Sequence, residues 1–255
     1  MCLILVAWHT HPDLPLVVAA NRDEYYVRAT ANAGPWPEAP QVIGGRDLEA
    51  GGTWLGITES GRFAAVTNVR EPGMAKGRCS RGLLTRDFLV GEASAGRYAA
   101  EIAGDDYSGF NLLVGDGREL WYRSNRDGPP HLLRPGVYAV SNHLLDTPWP
   151  KLVSAKSRFS EALAGLPDTD AFFAILADAS LAADKDLPAT GVPLEWERLL
   201  SAIFVKSPDY GTRASTVLIV QKDGESTFEE RRFGPEEQFL GRTRIPFPAP
   251  APAGI

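Results

Sequence analysis

Apolar and polar positions fall in blocks along this chain, and the blocks lay out its elements. An apolar run Leu3 to Trp8, a polar turn His9 to Pro15 and a second apolar run Leu16 to Ala20 predict two buried strands of an antiparallel meander. Asn21-Arg22-Asp23-Glu24 follows at the end of that meander. Gly34 to Pro40 reads as a Pro-rich loop and Gln41 to Gly45 as a short strand. Thr53 to Thr58 and Arg62 to Val69 read as a hairpin around Glu59-Ser60-Gly61. Ser80 is the expected N-cap of a helix through Leu83, Leu84, Phe88 and Leu89, and a second helix is expected over Ser94 to Ala103. Strands return at Asn111 to Val114, Glu119 to Arg123 and Gly136 to Ser141. From Lys151 the period changes, with Leu152, Ala155, Phe159, Ala162, Leu163 and Leu166 on one helical face. Ala171 to Ala179 and Leu194 to Phe204 predict two more helices, and Arg213 to Gln221 and Ser226 to Phe233 two closing strands. Strands, helix pair, strands, helix cluster, strands, without βαβ alternation, is an α+β order with largely antiparallel sheets. Two sheets packed face to face with helices outside would bury every apolar face. One domain over residues 1–243 is expected, followed by a Pro/Ala-rich tail over 244–255.

The chemistry begins at Cys2. An initiator methionine is normally trimmed before a small second residue, which would leave Cys2 with a free α-amine beside its thiol. A free thiol has a pKa of about 8.5 and an α-amine one of about 7.7–8.0, so near neutral pH the amine is partly a base. An N-terminal amine is one recognised activator of a nucleophile. On a pleated strand Asn21 and Asp23 share one face and Arg22 and Glu24 the other, so at most one of Arg22 and Asp23 faces Cys2. Set against this, a free Cys near a strand start is often a small hydrophobe, and a polar tetrad is often a solvated turn.

Further polar groups stand where strands begin or end. Asn68 and Asn142 each carry an amide able to donate to an oxyanion, although asparagines at strand ends commonly form turns. Arg213 enters a strongly apolar strand and needs a partner there, for which a thiolate, a substrate carboxylate or a surface ion pair would serve. Arg70, Lys76, Arg78 and Arg81 form a basic stretch suited to an anionic ligand, or simply a solvated loop. Neither His9 and His11 nor Cys79 has partners at metal-ligand spacing, so no metal site is expected. No G-x-S-x-G and no phosphate-binding glycine fingerprint occurs.

Composition narrows the setting. The chain has 255 residues, of which 44% are hydrophobic and 23% charged, as in soluble globular proteins. A net charge of −6 argues against general nucleic-acid binding. Two cysteines make no disulfide framework and favour a cytoplasmic, reducing setting. No apolar run is long enough to span a membrane, and the first twenty residues lack the basic start of a signal peptide.

With these residues in view, the sequence resembles the NRDE family of transport and Golgi organisation 2-like proteins. The resemblance rests on Met1-Cys2 leading a strand, Asn21-Arg22-Asp23-Glu24, Gly51-Gly52-Thr53-Trp54-Leu55-Gly56, Thr67-Asn68, Ser141-Asn142 and Tyr210-Gly211-Thr212-Arg213. That family is similar in turn to N-terminal nucleophile (Ntn) hydrolases of the choloylglycine and penicillin V acylase kind. The resemblance implies a four-layer αββα sandwich of two mainly antiparallel sheets. It also implies a catalytic set of Cys2, Arg22, Asp23, Asn68, Asn142 and Arg213, with Asn21, Glu24, Trp54, Arg70 and His143 as ligand contacts. One departure is that Arg22 and Asp23 are adjacent here, whereas the acylases space them apart. The expected activity is a cysteine hydrolase acting on an amide or thioester acyl bond of a small anionic molecule, with acyl-CoA one candidate and no cofactor required. The alternative is a non-catalytic carrier of haem or an acyl-CoA-like lipid, with His9, His11, His143 or Cys2 as the axial contact to haem. Oligomeric state is left open.

Overall fold

The computed structural model describes residues 2–248. The chain opens with β1 (Cys2–His11), β2 (Leu14–Tyr25), β3 (Thr30–Trp36), β4 (Ala39–Asp47), β5 (Leu55–Thr58) and β6 (Phe63–Asn68). Helices α1 (Arg81–Val90) and α2 (Ala95–Glu101) lead to β7 (Phe110–Gly115), β8 (Leu120–Ser124), β9 (His131–Leu133) and β10 (Gly136–Val140). Then come α3 (Pro150–Ala162), α4 (Asp170–Leu176), α5 (Leu194–Leu199), β11 (Tyr210–Val220), β12 (Glu225–Phe233) and β13 (Phe239–Pro248). One sheet has six strands in the order β10-β1-β2-β11-β12-β13, and the other runs β3 to β9 in sequence order. Every pair in both sheets is antiparallel.

The first apolar runs lack a period of two because both of their faces are covered. Ile4, Val6, Trp8, Leu16 and Val18 pack between the sheets with Leu55, Phe63, Leu113 and Tyr122. Leu3, Leu5, Ala7, Val17 and Ala19 face outward onto Leu152, Phe159, Phe172 and Leu176 of α3 and α4. On the far side, Leu84, Phe88 and Leu89 of α1 and Ala95 and Ala99 of α2 cover Val42, Ala64, Val66 and Leu112. The layers are therefore helix, sheet, sheet, helix, as the block order predicts.

Four boundaries differ from the sequence reading. The stretch expected as a Pro-rich loop over Gly34 to Pro40 lies in β3, the tight turn after it and the start of β4. Pro35 is tolerated because β3 is an edge strand, where a missing N–H interrupts no second ladder. His9 and His11, expected in a turn, extend β1. The tail assigned from residue 244 pairs with β12 as far as Pro248, and residues 249–255 lie outside the described residues. Helix α5 stops at Leu199, after which Leu200 and Ile203 to Val205 are buried as irregular chain held under β11 by the Thr212 N–H on the Val205 carbonyl.

Candidate active site

The register of the first hairpin decides how the leading residues are shared out. Cys2 lies opposite Arg22 and Leu3 opposite Asn21. Since Ile4 and Ala20 point between the sheets, Cys2 and Arg22 share that inner face, and Asn21 and Asp23 point toward the helices. Arg22 is thus the tetrad member directly across from Cys2. Asn21 is spent on structure: its amide donates to the carbonyls of Leu176 and Ile203, each at 2.8 Å, and accepts from Ser215 at 2.6 Å. Asp23 accepts the Thr212 hydroxyl at 2.7 Å, and its carbonyl accepts the Tyr210 hydroxyl at 3.2 Å.

Two glycines let the second sheet close on this edge. A Cβ at Gly45 would stand 2.1 Å from the Trp54 ring, so only glycine allows that indole to lie flat in place. Arg22 stacks over the same ring with its guanidinium carbon 4.3 Å from the centroid, and it donates to the Thr30 hydroxyl at 3.3 Å. A Cβ at Gly52 would lie 2.4 Å from the Gly82 carbonyl carbon. That close crossing, with the Thr53 N–H on the Gly82 carbonyl at 3.1 Å, draws the first turn of α1 to the same spot.

The result is a cavity of about 330 Å³ walled by Cys2, Arg22, Asp23, Trp54 and Asn68 from the sheets. Glu24 and Arg28 lie at its side, and Lys76 to Gly82 close it from the opposite loop. Cys79, discounted as a metal ligand, is on this wall as well. Burial pushes the Cys2 thiol above its ordinary value, and it pushes the Asp23 carboxyl up, against the pull of Lys151, Thr212 and Arg22. Lys151 is buried at the start of α3, donates to the Leu200 carbonyl at 2.9 Å, and is depressed to about 8 by burial, with Asp23 opposing. Burial also lowers Arg81, against the charges of Cys2 and Glu24.

The remaining expected site residues divide. Asn68 lines the cavity, whereas Asn142 lies behind it, 0% exposed. The Asn142 amide donates to the Asn68 carbonyl at 3.1 Å, its carbonyl accepts the Arg70 N–H at 2.8 Å, and neighbouring Ser141 donates to the Cys2 carbonyl at 2.9 Å. Asn142 therefore braces Asn68, and Ser141 braces the start of β1. Arg213 does not reach Cys2. It is an extra residue in β11, at a register shift between Thr212 and Ala214, and it donates to the carbonyls of Tyr25 and Arg28 beside a second cavity. Arg70, expected in a basic loop, is buried in an ion pair with Glu197 at 2.5 Å and lies 4.9 Å from the Trp149 ring. His143 bonds Thr147 at 2.9 Å, and neither it nor His9 nor His11 lines the Cys2 cavity. The sequence reading missed Lys151 and Glu197. Their only signal was a charged residue beside an apolar one in a short helical stretch, Lys151-Leu152 and Trp196-Glu197.

A family model described as Transport and Golgi organisation 2 matches residues 1–235. The chain belongs to that family. Relatives named Transport and Golgi organization protein 2 homolog, from Bos taurus and from Homo sapiens, are each 36% identical over 91% of this chain and 92% of their own. The fold is that of Ntn hydrolases. An N-acylethanolamine-hydrolyzing acid amidase ortholog from Caenorhabditis elegans superposes with a TM-score of 0.51 at 14% identity, over 86% of this chain and 92% of that one. A mutant conjugated bile acid hydrolase from Clostridium perfringens gives 0.55 at 10% identity, over 96% and 92%. Within the described residues of this family member, no helix is long and apolar enough to cross a membrane.

Proposed function

We propose that this protein is a cysteine N-terminal nucleophile hydrolase that cleaves an acyl amide or thioester of a small anionic molecule. The observation that carries the reading is the position of Cys2. The sulfur-bearing residue begins β1, faces the inter-sheet cavity opposite Arg22, and shares the cavity wall with Asn68. One of the structural neighbours described above is named an acid amidase that hydrolyses N-acylethanolamines and the other a conjugated bile acid hydrolase, which favours acyl-bond hydrolysis here.

Burial holds the thiol protonated near neutral pH, so the reaction needs a base beside it. Loss of Met1 supplies one, the α-amine of Cys2. The amine takes the thiol proton as Sγ attacks the acyl carbonyl, and the Asn68 amide donates to the oxyanion that forms. The carbon–nitrogen or carbon–sulfur bond then breaks, with the amine returning its proton to the leaving group. Water attacks the resulting thioester and loses a proton to the same amine, the carbon–sulfur bond breaks, and the amine returns that proton to Sγ, releasing a carboxylic acid and the free Cys2 thiol. Arg22 balances charge on the sulfur, and Asp23 holds the ammonium form of the amine. Arg28, Lys76 and Arg81 around the mouth favour an anionic substrate.

Intact mass should show that Met1 is absent from active protein. Cys2→Ala should abolish turnover of an acyl amide and thioester panel while costing about 1 kcal/mol of stability, since it leaves a small cavity. A non-removable N-terminal tag should be as damaging, because it converts the basic amine to an amide. Full activity with Met1 retained, or in Cys2→Ala, refutes the nucleophile.

A further inference from the structure

Behind the Cys2 cavity lies a second one, of about 70 Å³, and the two share the stacked pair Arg22 and Trp54 as a partition. Its other polar walls are Thr30, Asn32, Arg213, Glu230 and Arg232. Glu230 is 1% exposed, with one carboxylate oxygen on the Ala33 N–H at 3.0 Å. Its second oxygen is buried and has no hydrogen-bond partner, and the same is true of Nε of Arg232. Neither Glu230 nor Arg232 nor Arg213 has an ion-pair partner among the described residues, although all three line one small space. A buried carboxylate and a half-buried guanidinium with an enclosed Nε that share a cavity without bonding each other are costly, unless something between them bonds both.

We infer that this cavity is a ligand subsite for a small carboxylate carrying an adjacent hydroxyl or ammonium donor. The carboxylate would meet Arg213 and Arg232, and the donor would meet the free Glu230 oxygen. Three arginines to one carboxylate set the preference for an anion, and the unpartnered Glu230 oxygen sets the preference for a donor beside it. Because Arg22 and Trp54 wall both cavities, a molecule seated here would adjoin the nucleophile cavity, as the distal end of a substrate or as an effector. This goes beyond the hydrolase reading and does not require that Cys2 react, so binding is measured without turnover.

The test is calorimetric titration of the full chain at pH 7.5 with glycolate, glycine, acetate and sulfate, together with amide and indole spectra during each titration. Glycolate and glycine should bind about fivefold more tightly than acetate, the value of one hydrogen bond. They should shift the Trp54 indole and the amides of Thr30 and Ala31. Arg213→Gln and Arg232→Gln should each weaken glycolate by about tenfold, and Glu230→Gln should erase its advantage over acetate. Arg232 is only partly buried, so its variant is the one expected to fold unchanged. Sulfate binding as tightly as glycolate overturns the inference, as do unmoved Trp54 and Thr30 signals in the wild-type protein or affinities unaltered in Arg232→Gln.

Discussion

Glu230 allows a quantitative check of the second cavity from stability alone. Its carboxyl is raised from an ordinary 4.5 to about 6, first by burial, with the Ala33 N–H, Arg232 and Arg22 pulling the other way. A rise of that size corresponds to about 2 kcal/mol between the two protonation states. The folded protein holds this proton more tightly than the unfolded chain does. The contribution is therefore fully present below about pH 4.5 and is lost as pH climbs through about 6. Glu230→Gln keeps an acceptor for Ala33 and removes the charge. At pH 7.5 the variant should be more stable by up to about 2 kcal/mol, which is about 4–8 °C in thermal midpoint for a chain of this size. At pH 4.5 the two proteins should melt together. Asp47, held low by Arg28 against the upward push of burial, and Glu71, held low by Arg126, lie below this window and are common to both proteins, so they cancel in the comparison. Circular-dichroism melts at the two pH values make the measurement. A gap of equal size at both, or a variant less stable at pH 7.5, refutes the reasoning.

Two further outcomes follow from the packing around the candidate site. Arg70→Met leaves Glu197 charged and buried, with only Thr190 donating to it, and should cost about 3–5 kcal/mol in urea unfolding. Adding Glu197→Leu should recover most of that, and a single variant within about 1 kcal/mol of wild type would show that the pair is not buried as described. Gly45→Ala should displace the Trp54 ring from under Arg22, costing about 1–3 kcal/mol. It should also change the indole spectrum and ligand binding in both cavities, and an unchanged Trp54 signal would contradict the close approach.

Much of the fold is legible in local sequence because its elements answer to local rules. Leu3–Trp8 and Leu16–Ala20 are continuous apolar runs and became the strands covered on both faces. Leu152, Ala155 and Phe159 recur at helical spacing and became the buried stripe of α3. The site was legible as far as single positions carry chemistry: a Cys at position two, a charged tetrad one strand later and an Asn at the end of β6. Tertiary structure decided which of these meet. Side-chain facing depends on register, and a shift of one residue would have put Asp23 in place of Arg22 across from Cys2. An extra residue in β11 carried Arg213 into the second cavity, and no local pattern announces such a bulge. Asn142 fell behind Asn68 because the ends of β6 and β10 come from opposite sheets and meet only after both are folded. Lys151, Glu197 and Glu230 look like ordinary helix and strand charges in the chain. They become buried groups with altered acidity or fixed partners only because another layer closes over them, and long-range closure is information that neighbouring residues do not hold.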